Sequence, residues 1–140
     1  MAEIPASHAD LLKKPAFAHL ATLNPDGSPQ VTCVWVGVEG DEIVSGHLPR
    51  NQKVKNVERD PRVAISIEGA DLSEQGLREY LVVRGLAVVQ EGGAPELLQR
   101  LAHVYLGPDV KFPPMEDPPP GYVIRTTPER IGGVGPWVDE

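Results

Sequence analysis

The chain has 140 residues, 41% of them hydrophobic and 5% aromatic, and a formal net charge of −7 at pH 7. That length suits one domain with a real core, the acidity argues against a general nucleic-acid binder, and no apolar run approaches the roughly 20 residues of a membrane span. A single cysteine, Cys33, excludes an intramolecular disulfide framework, no Cys/His cluster has zinc spacing, and a reducing, cytoplasmic setting is the simplest expectation.

The first fifteen residues, MAEIPASHADLLKKP, lack a positive stretch followed by an apolar one and do not read as a signal peptide. Ser7 can cap a short helix from His8 to Lys14, which Pro15 stops. Ala16 to Leu23 reads as a strand of small residues. Asn24-Pro25-Asp26-Gly27 is a turn, with Pro25 presetting φ and Gly27 free to take positive φ. Pro29 to Val38 is then expected as one continuous second strand, with Gln30, Thr32, Val34 and Val36 on one face and Val31, Cys33, Trp35 and Gly37 on the other. Gly40-Asp41 turns the chain into a third strand, Glu42 to His47.

A helix is expected over Asn51 to Arg59, ended by Asp60-Pro61. Arg62 to Glu68 alternates with period two, Gly69 to Gly76 is a polar connection, and Glu79 to Glu91 is a long strand in which Gly85 signals a bulge or bend. Ala94 to Tyr105 is an amphipathic helix with Leu97, Leu98, Leu101, Ala102 and Tyr105 on one face. Gly107 to Gly121 contains six prolines and is expected as a stiff surface loop near a pocket mouth. Tyr122 to Thr127 is the last strand, and a glycine-rich tail follows from Pro128. The order β-β-β-α-β-β-α-β with short turns predicts a mostly β fold, a small antiparallel barrel with flanking helices, as one domain over residues 1–140.

Five of the 13 Lys and Arg residues fall between Ser45 and Arg62: Arg50, Lys53, Lys55, Arg59 and Arg62. A basic island on an acidic chain suits an anionic ligand, because Arg offers a fork of donors and Lys a point charge. A solvated helix face with Glu58 and Asp60 as internal partners is the alternative. The usual catalytic motifs are missing: there is no GxSxG elbow, HExxH, P-loop or GxGxxG. Cys33 reads as an inert buried thiol, His8 and His103 as structural or surface residues, and His19 as a core or interface histidine. His47 ends the third strand close to the cations, as a ligand contact or a polar strand end. An anion site among apolar strands, without acid–base or nucleophilic machinery, points to a cofactor that carries the chemistry.

The pattern A-x-L-A-T-L-x-x-D-G-x-P-x-V over Ala18 to Val31 resembles the opening of the pyridoxamine 5′-phosphate oxidase-like, FMN-binding split barrels. So does S-x-x-x-P-R, followed by K-x-x-N and E-R-D-P-R-V, carried by Ser45, Pro49, Arg50, Lys53, Asn56 and Glu58 to Val63. Within that superfamily the chain is most similar to short reductases that use the deazaflavin coenzyme F-420. The resemblance implies a homodimer with cofactor sites at the subunit interface and hydride transfer from reduced F-420 to a small conjugated acceptor, with neither nucleic acid nor membrane as partner. By position, Arg50 and Lys53 would hold the cofactor phosphate, with Asn56 in the same motif. Ser45, Gly46 and His47 would run along the ring, Thr32 and Val34 would line the groove, and Gln30 would reach its edge. Lys55, with Arg59, would serve the acidic tail of F-420, and the partner subunit's Trp137 would close the ring pocket. FMN, in an oxidase or flavin reductase, is the alternative cofactor; a non-catalytic binder of a flavin-like or haem-like molecule is the alternative from another class. The tail RIGGVGPWVDE lacks the Arg-rich segment of true pyridoxamine phosphate oxidases, which points away from that substrate.

Overall fold

Alternating apolar residues separated by turn-forming ones dictate hairpins, and the computed structural model, which describes residues 16–72 and 75–135, is built from them. The expected helix at His8 to Lys14 with its cap Ser7, and Trp137, lie outside the described residues. β1 (Phe17–Leu23) and β2 (Pro29–Val34) pair antiparallel from Ala18↔Val34 to Leu23↔Pro29. Their turn closes as its sequence dictates: Gly27 takes φ +86°, and its N–H donates to the Asn24 carbonyl at 2.8 Å.

The expected single strand from Pro29 to Val38 is instead two, β2 and β3 (Gly37–Glu39), separated by Trp35 and Val36. The cause is pairing: β2 belongs to β1, whereas β3 belongs to β4 (Glu42–His47). The Val36 N–H leaves the ladder and donates to the Tyr105 hydroxyl at 3.2 Å, while the Val36 side chain is buried. Helix α1 (Gln52–Arg59) follows, then β5 (Arg62–Leu72), β6 (Arg78–Glu91), helix α2 (Ala94–Tyr105) and β7 (Tyr122–Val134).

The seven strands of the described residues form one antiparallel sheet in the order β2-β1-β5-β6-β7-β4-β3. Its two ends, β2 and β3, are consecutive in the chain and joined by two residues, so the sheet must curl until its edges meet. The result is the expected barrel, split between β2 and β3. Leu20, Ile43, Ile65, Ile67, Leu81, Val83 and Ile124 fill its interior, and α1 adds Val54 and Val57 to the same core. On the outside, α2 lays Leu97 and Leu101 over Val44 and Val123, with Trp35 and Tyr105 at the margin.

Two strands outrun their sequence patterns. β5 continues past Glu68 to Leu72, because backbone pairing with β6 resumes at Leu72↔Arg78 after an irregularity, whatever the side chains. β7 runs through Pro128 to Val134, where a tail was expected. The register shifts there from Arg84↔Arg130 to Gly85↔Pro128, so Glu129 is the extra residue of a bulge and the missing Pro128 N–H falls at that irregularity. Gly85 is required on the facing strand: a Cβ there would stand 2.2 Å from the Thr127 carbonyl oxygen, a backbone atom that cannot swing away. Gly85→Ala is therefore expected to destabilise the protein by about 1–3 kcal/mol. Gly132→Ala, with nothing within 4 Å of the added carbon, should stay within about 0.5 kcal/mol of the parent in the same urea titration.

Candidate functional site

Asn51 caps α1, its Oδ1 accepting from the Val54 N–H at 3.2 Å. The first turn of this helix contains no acidic residue and carries Lys53. A cation at the positive end of a helix dipole is poorly placed for stability and well placed, with the free N–H groups, to receive an anion. Lys53 is half-buried, and burial holds its ammonium below the usual lysine range. No described residue gives it an ion pair or hydrogen bond.

Lys53 faces a cleft of about 300 Å³ between the two helices. Val34 and His47 stand with it on one side. Trp35, Leu98 and Phe112 stand on the α2 side, where Gly46 lies under Leu98: a Cβ on Gly46 would come within 3.1 Å of Leu98 Cγ. Gly46 is therefore a close-packing position, where α2 comes too near the strand to leave room for a side chain. Behind it the His47 imidazole, 8% exposed, bonds through Nε2 to the buried Ser45 hydroxyl at 2.8 Å. Burial first, and the charge of Lys53 second, push His47 down to about 4, so it is neutral at pH 7. The Thr32 hydroxyl, next in the chain to Cys33 at the cleft wall, is buried with no hydrogen-bond partner among the described residues. Such an orphan costs about 1–3 kcal/mol unless a bound group completes it.

The basic island divides. Lys55 lies two residues from Lys53, about 200° around the helix, and is exposed on another face. Arg50 donates from Nε to Glu58 at 2.8 Å and borders a separate cleft formed with Pro119, Pro120 and Tyr122. Arg62 pairs with Asp60 at 2.7 Å, and Arg59 braces the β1–β2 hairpin through the Leu23 carbonyl. Asn56 is 0% exposed and spends its amide on structure. Its Nδ2 donates to Thr22 Oγ1 and Asn24 Oδ1 at 3.0 Å each, and its Oδ1 accepts from Gln52 at 2.8 Å and Arg59 at 3.4 Å. Gln30 joins this network, its Oε1 accepting from Thr22 Oγ1 at 3.1 Å, rather than the cleft. Of the expected cofactor set, the structure thus gathers Val34, Gly46, His47 and Lys53 around one space, with Ser45 behind His47, and leaves Gln30, Arg50, Lys55 and Asn56 elsewhere.

Cys33 is exposed at the cleft, not buried, because β2 is a sheet end whose outer face, Val31 and Cys33, is bare. His19 is likewise exposed on that face of β1. Trp35, Leu98 and Phe112 were missed by sequence reasoning. The sequence places Trp35 in a regular strand and Leu98 on a helix face, and the signal that marks Phe112 is that it is the lone aromatic of the proline-rich loop. Among the described residues no cluster suits a metal ion, and no helix is long and apolar enough to cross a membrane.

The model of the pyridoxamine 5′-phosphate oxidase family matches residues 4–135. Among solved structures, an F-420 reductase superposes with a TM-score of 0.71 at 28% identity, over 92% of this chain and 98% of the other. A conserved hypothetical protein from Mycobacterium tuberculosis, Rv2991, gives 0.69 at 27% identity over 95% and 84%. HupZ from Group A Streptococcus gives 0.66 at 20% identity over 94% of each chain, a likeness of fold alone. A search of curated proteins gives no match.

The burial of neutral His47 has a measurable consequence. The fold holds the uncharged imidazole, so its contribution is present above pH 6.5 and is lost as pH falls toward about 4. The ligand-free protein should lose roughly 3 kcal/mol from this group across that window. His47→Gln should flatten this part of the stability profile, read by urea unfolding at successive pH values.

Proposed function

Because the chain belongs to the pyridoxamine 5′-phosphate oxidase family, we propose that the cleft holds a phosphate-bearing flavin-type cofactor, coenzyme F-420, and that the protein is an oxidoreductase acting on a small conjugated acceptor. The observation that carries this reading is Lys53: a half-buried cation, unpaired among the described residues, at the start of a helix with no acid in its first turn, facing an otherwise uncharged cleft. The residues present fit such a group. Lys53 and the first N–H groups of α1 would take the phosphate. Val34 and His47 would border the ring. When bound, the reduced deazaflavin supplies a hydride to the acceptor. His47 stays neutral beside it and donates no charge, while Trp35, Leu98 and Phe112 keep water from the far side. Similarity to an F-420 reductase along nearly the whole of both chains supports this choice of coenzyme.

One observation favours FMN as the alternative. Lys55 is exposed on another face of α1, so among the described residues no second cation lines the cleft for the acidic tail of F-420. Assembly as a homodimer is part of the same proposal. The outer sheet face carries Phe17 at 68% and Val31 at 59% exposure, with Leu86 and Val88 also exposed, more bare apolar surface than a lone subunit usually keeps.

Isothermal titration with F-420 and with FMN tests the anion site. Lys53→Ala should weaken binding about ten- to a hundredfold, the loss of one charge-assisted hydrogen bond. Arg50→Ala, already paired to Glu58, should change affinity little. Asn56→Ala should do the reverse of Lys53→Ala, lowering thermal stability because it opens a buried network. Unchanged affinity of Lys53→Ala for both cofactors would overturn the assignment.

A further inference from the structure

We propose that Trp35 and Phe112 form a separate subsite in this cleft for an uncharged planar ring, and that Gln99 is the residue that positions it. The acceptor's role for that ring rests on the function proposed above; the ring-binding itself does not.

Trp35 lies in the two-residue crossover, where neither strand claims it. One face of its indole stacks on Tyr105, with ring centroids 5.3 Å apart and planes at 13°. Tyr105 cannot drift, because its hydroxyl donates to the Ala16 carbonyl at 3.1 Å and accepts from the Val36 N–H. Phe112 leans against the same indole at 5.1 Å and 57°. Both Trp35 and Phe112 keep exposed surface and border the cleft. Two aromatic side chains at a fixed angle, one of them backed by a third ring, are a preformed corner for a flat π-system.

Phe112 owes its position to α2. The Gln99 amide accepts from the Phe112 N–H at 3.0 Å and donates to the Val110 carbonyl at 2.8 Å, bracketing alternate residues as a neighbouring strand would. His103 bonds the same amide nitrogen at 2.9 Å. The loop has no such pairing of its own around Phe112, so without Gln99 the ring loses its anchor. Charge selects the occupant. The Trp35–Leu98–Phe112 wall carries none. An anionic ring would be desolvated against that wall with no cation in the cleft lining to pair it but Lys53, and a neutral one would not.

Menadione, an uncharged naphthoquinone, is the probe, with a naphthoquinone sulfonate as its anionic counterpart. In a Trp137→Phe background the indole emission reports Trp35, and titration of the full chain without cofactor gives the affinity. Phe112→Ala should weaken menadione binding about three- to tenfold, and Phe112→Leu, which keeps apolar bulk without the ring, should do so as well. Gln99→Leu should match Phe112→Ala, and the double variant should be no worse than either, because Gln99 acts through Phe112. Unaltered F-420 affinity in Gln99→Leu separates positioning of Phe112 from a general structural loss. If Phe112→Leu and Gln99→Leu bind menadione as tightly as the parent, or the sulfonate binds as well as menadione in a Lys53→Ala background, the subsite is wrong. If menadione behaves as expected while F-420 and FMN both fail to bind, the subsite stands and the proposed function falls.

Discussion

The closure of the sheet on itself through two residues is the constraint from which the rest follows. β2 and β3 sit at opposite ends of a seven-strand order, yet only Trp35 and Val36 join them. Two residues span well under 10 Å, so the strand ends must meet and the barrel must stay split there, since the chain that crosses the seam cannot also pair across it. Val36 takes the buried side of that crossover and Trp35 the outer side. The seam brings the end of β2 beside the end of β4, which is why Val34 and His47 border one cleft although neither strand pairs with the other.

Helix α1 then works in two directions. Its inner face is committed to folding: Val54 and Val57 enter the core, and Asn56 ties the helix to the β1–β2 turn through Thr22 and Asn24. Such a network is rigid because every donor and acceptor of the buried amide is used. The first turn is left over for the cleft, where Lys53 is half-buried and partly desolvated.

The α2 side is organised by a different logic. Leu97 and Leu101 secure the helix to the sheet, which frees Gln99 and Tyr105 to hold pieces of chain that have no ladder of their own: the crossover and the proline-rich loop. Prolines cannot donate backbone hydrogen bonds, so a loop rich in them depends on side chains from elsewhere for its position. That dependence makes the aromatic wall of the cleft a tertiary construction.

Read from the sequence alone, the architecture was largely visible, because period-two runs, the Asn24–Gly27 turn, the bend at Gly85 and the amphipathic α2 are local signals with local causes. The basic stretch at the start of α1 was visible too, and Lys53, which faces the cleft, lies within it. What local signals could not sort was which cations converge. Arg50, Lys53 and Lys55 are equivalent by composition, and only the rotation of α1 and the nearness of Glu58 send them to three different surroundings. Asn56 matched a motif for the cofactor, but its burial against Thr22 made it a strut. The break at Trp35, the continuation of β7 through Pro128 and the arrival of Phe112 at the cleft were decided by contacts between residues distant in the chain. Pairing partners, bulges and loop anchors are properties of the closed sheet, and no stretch of sequence carries them by itself.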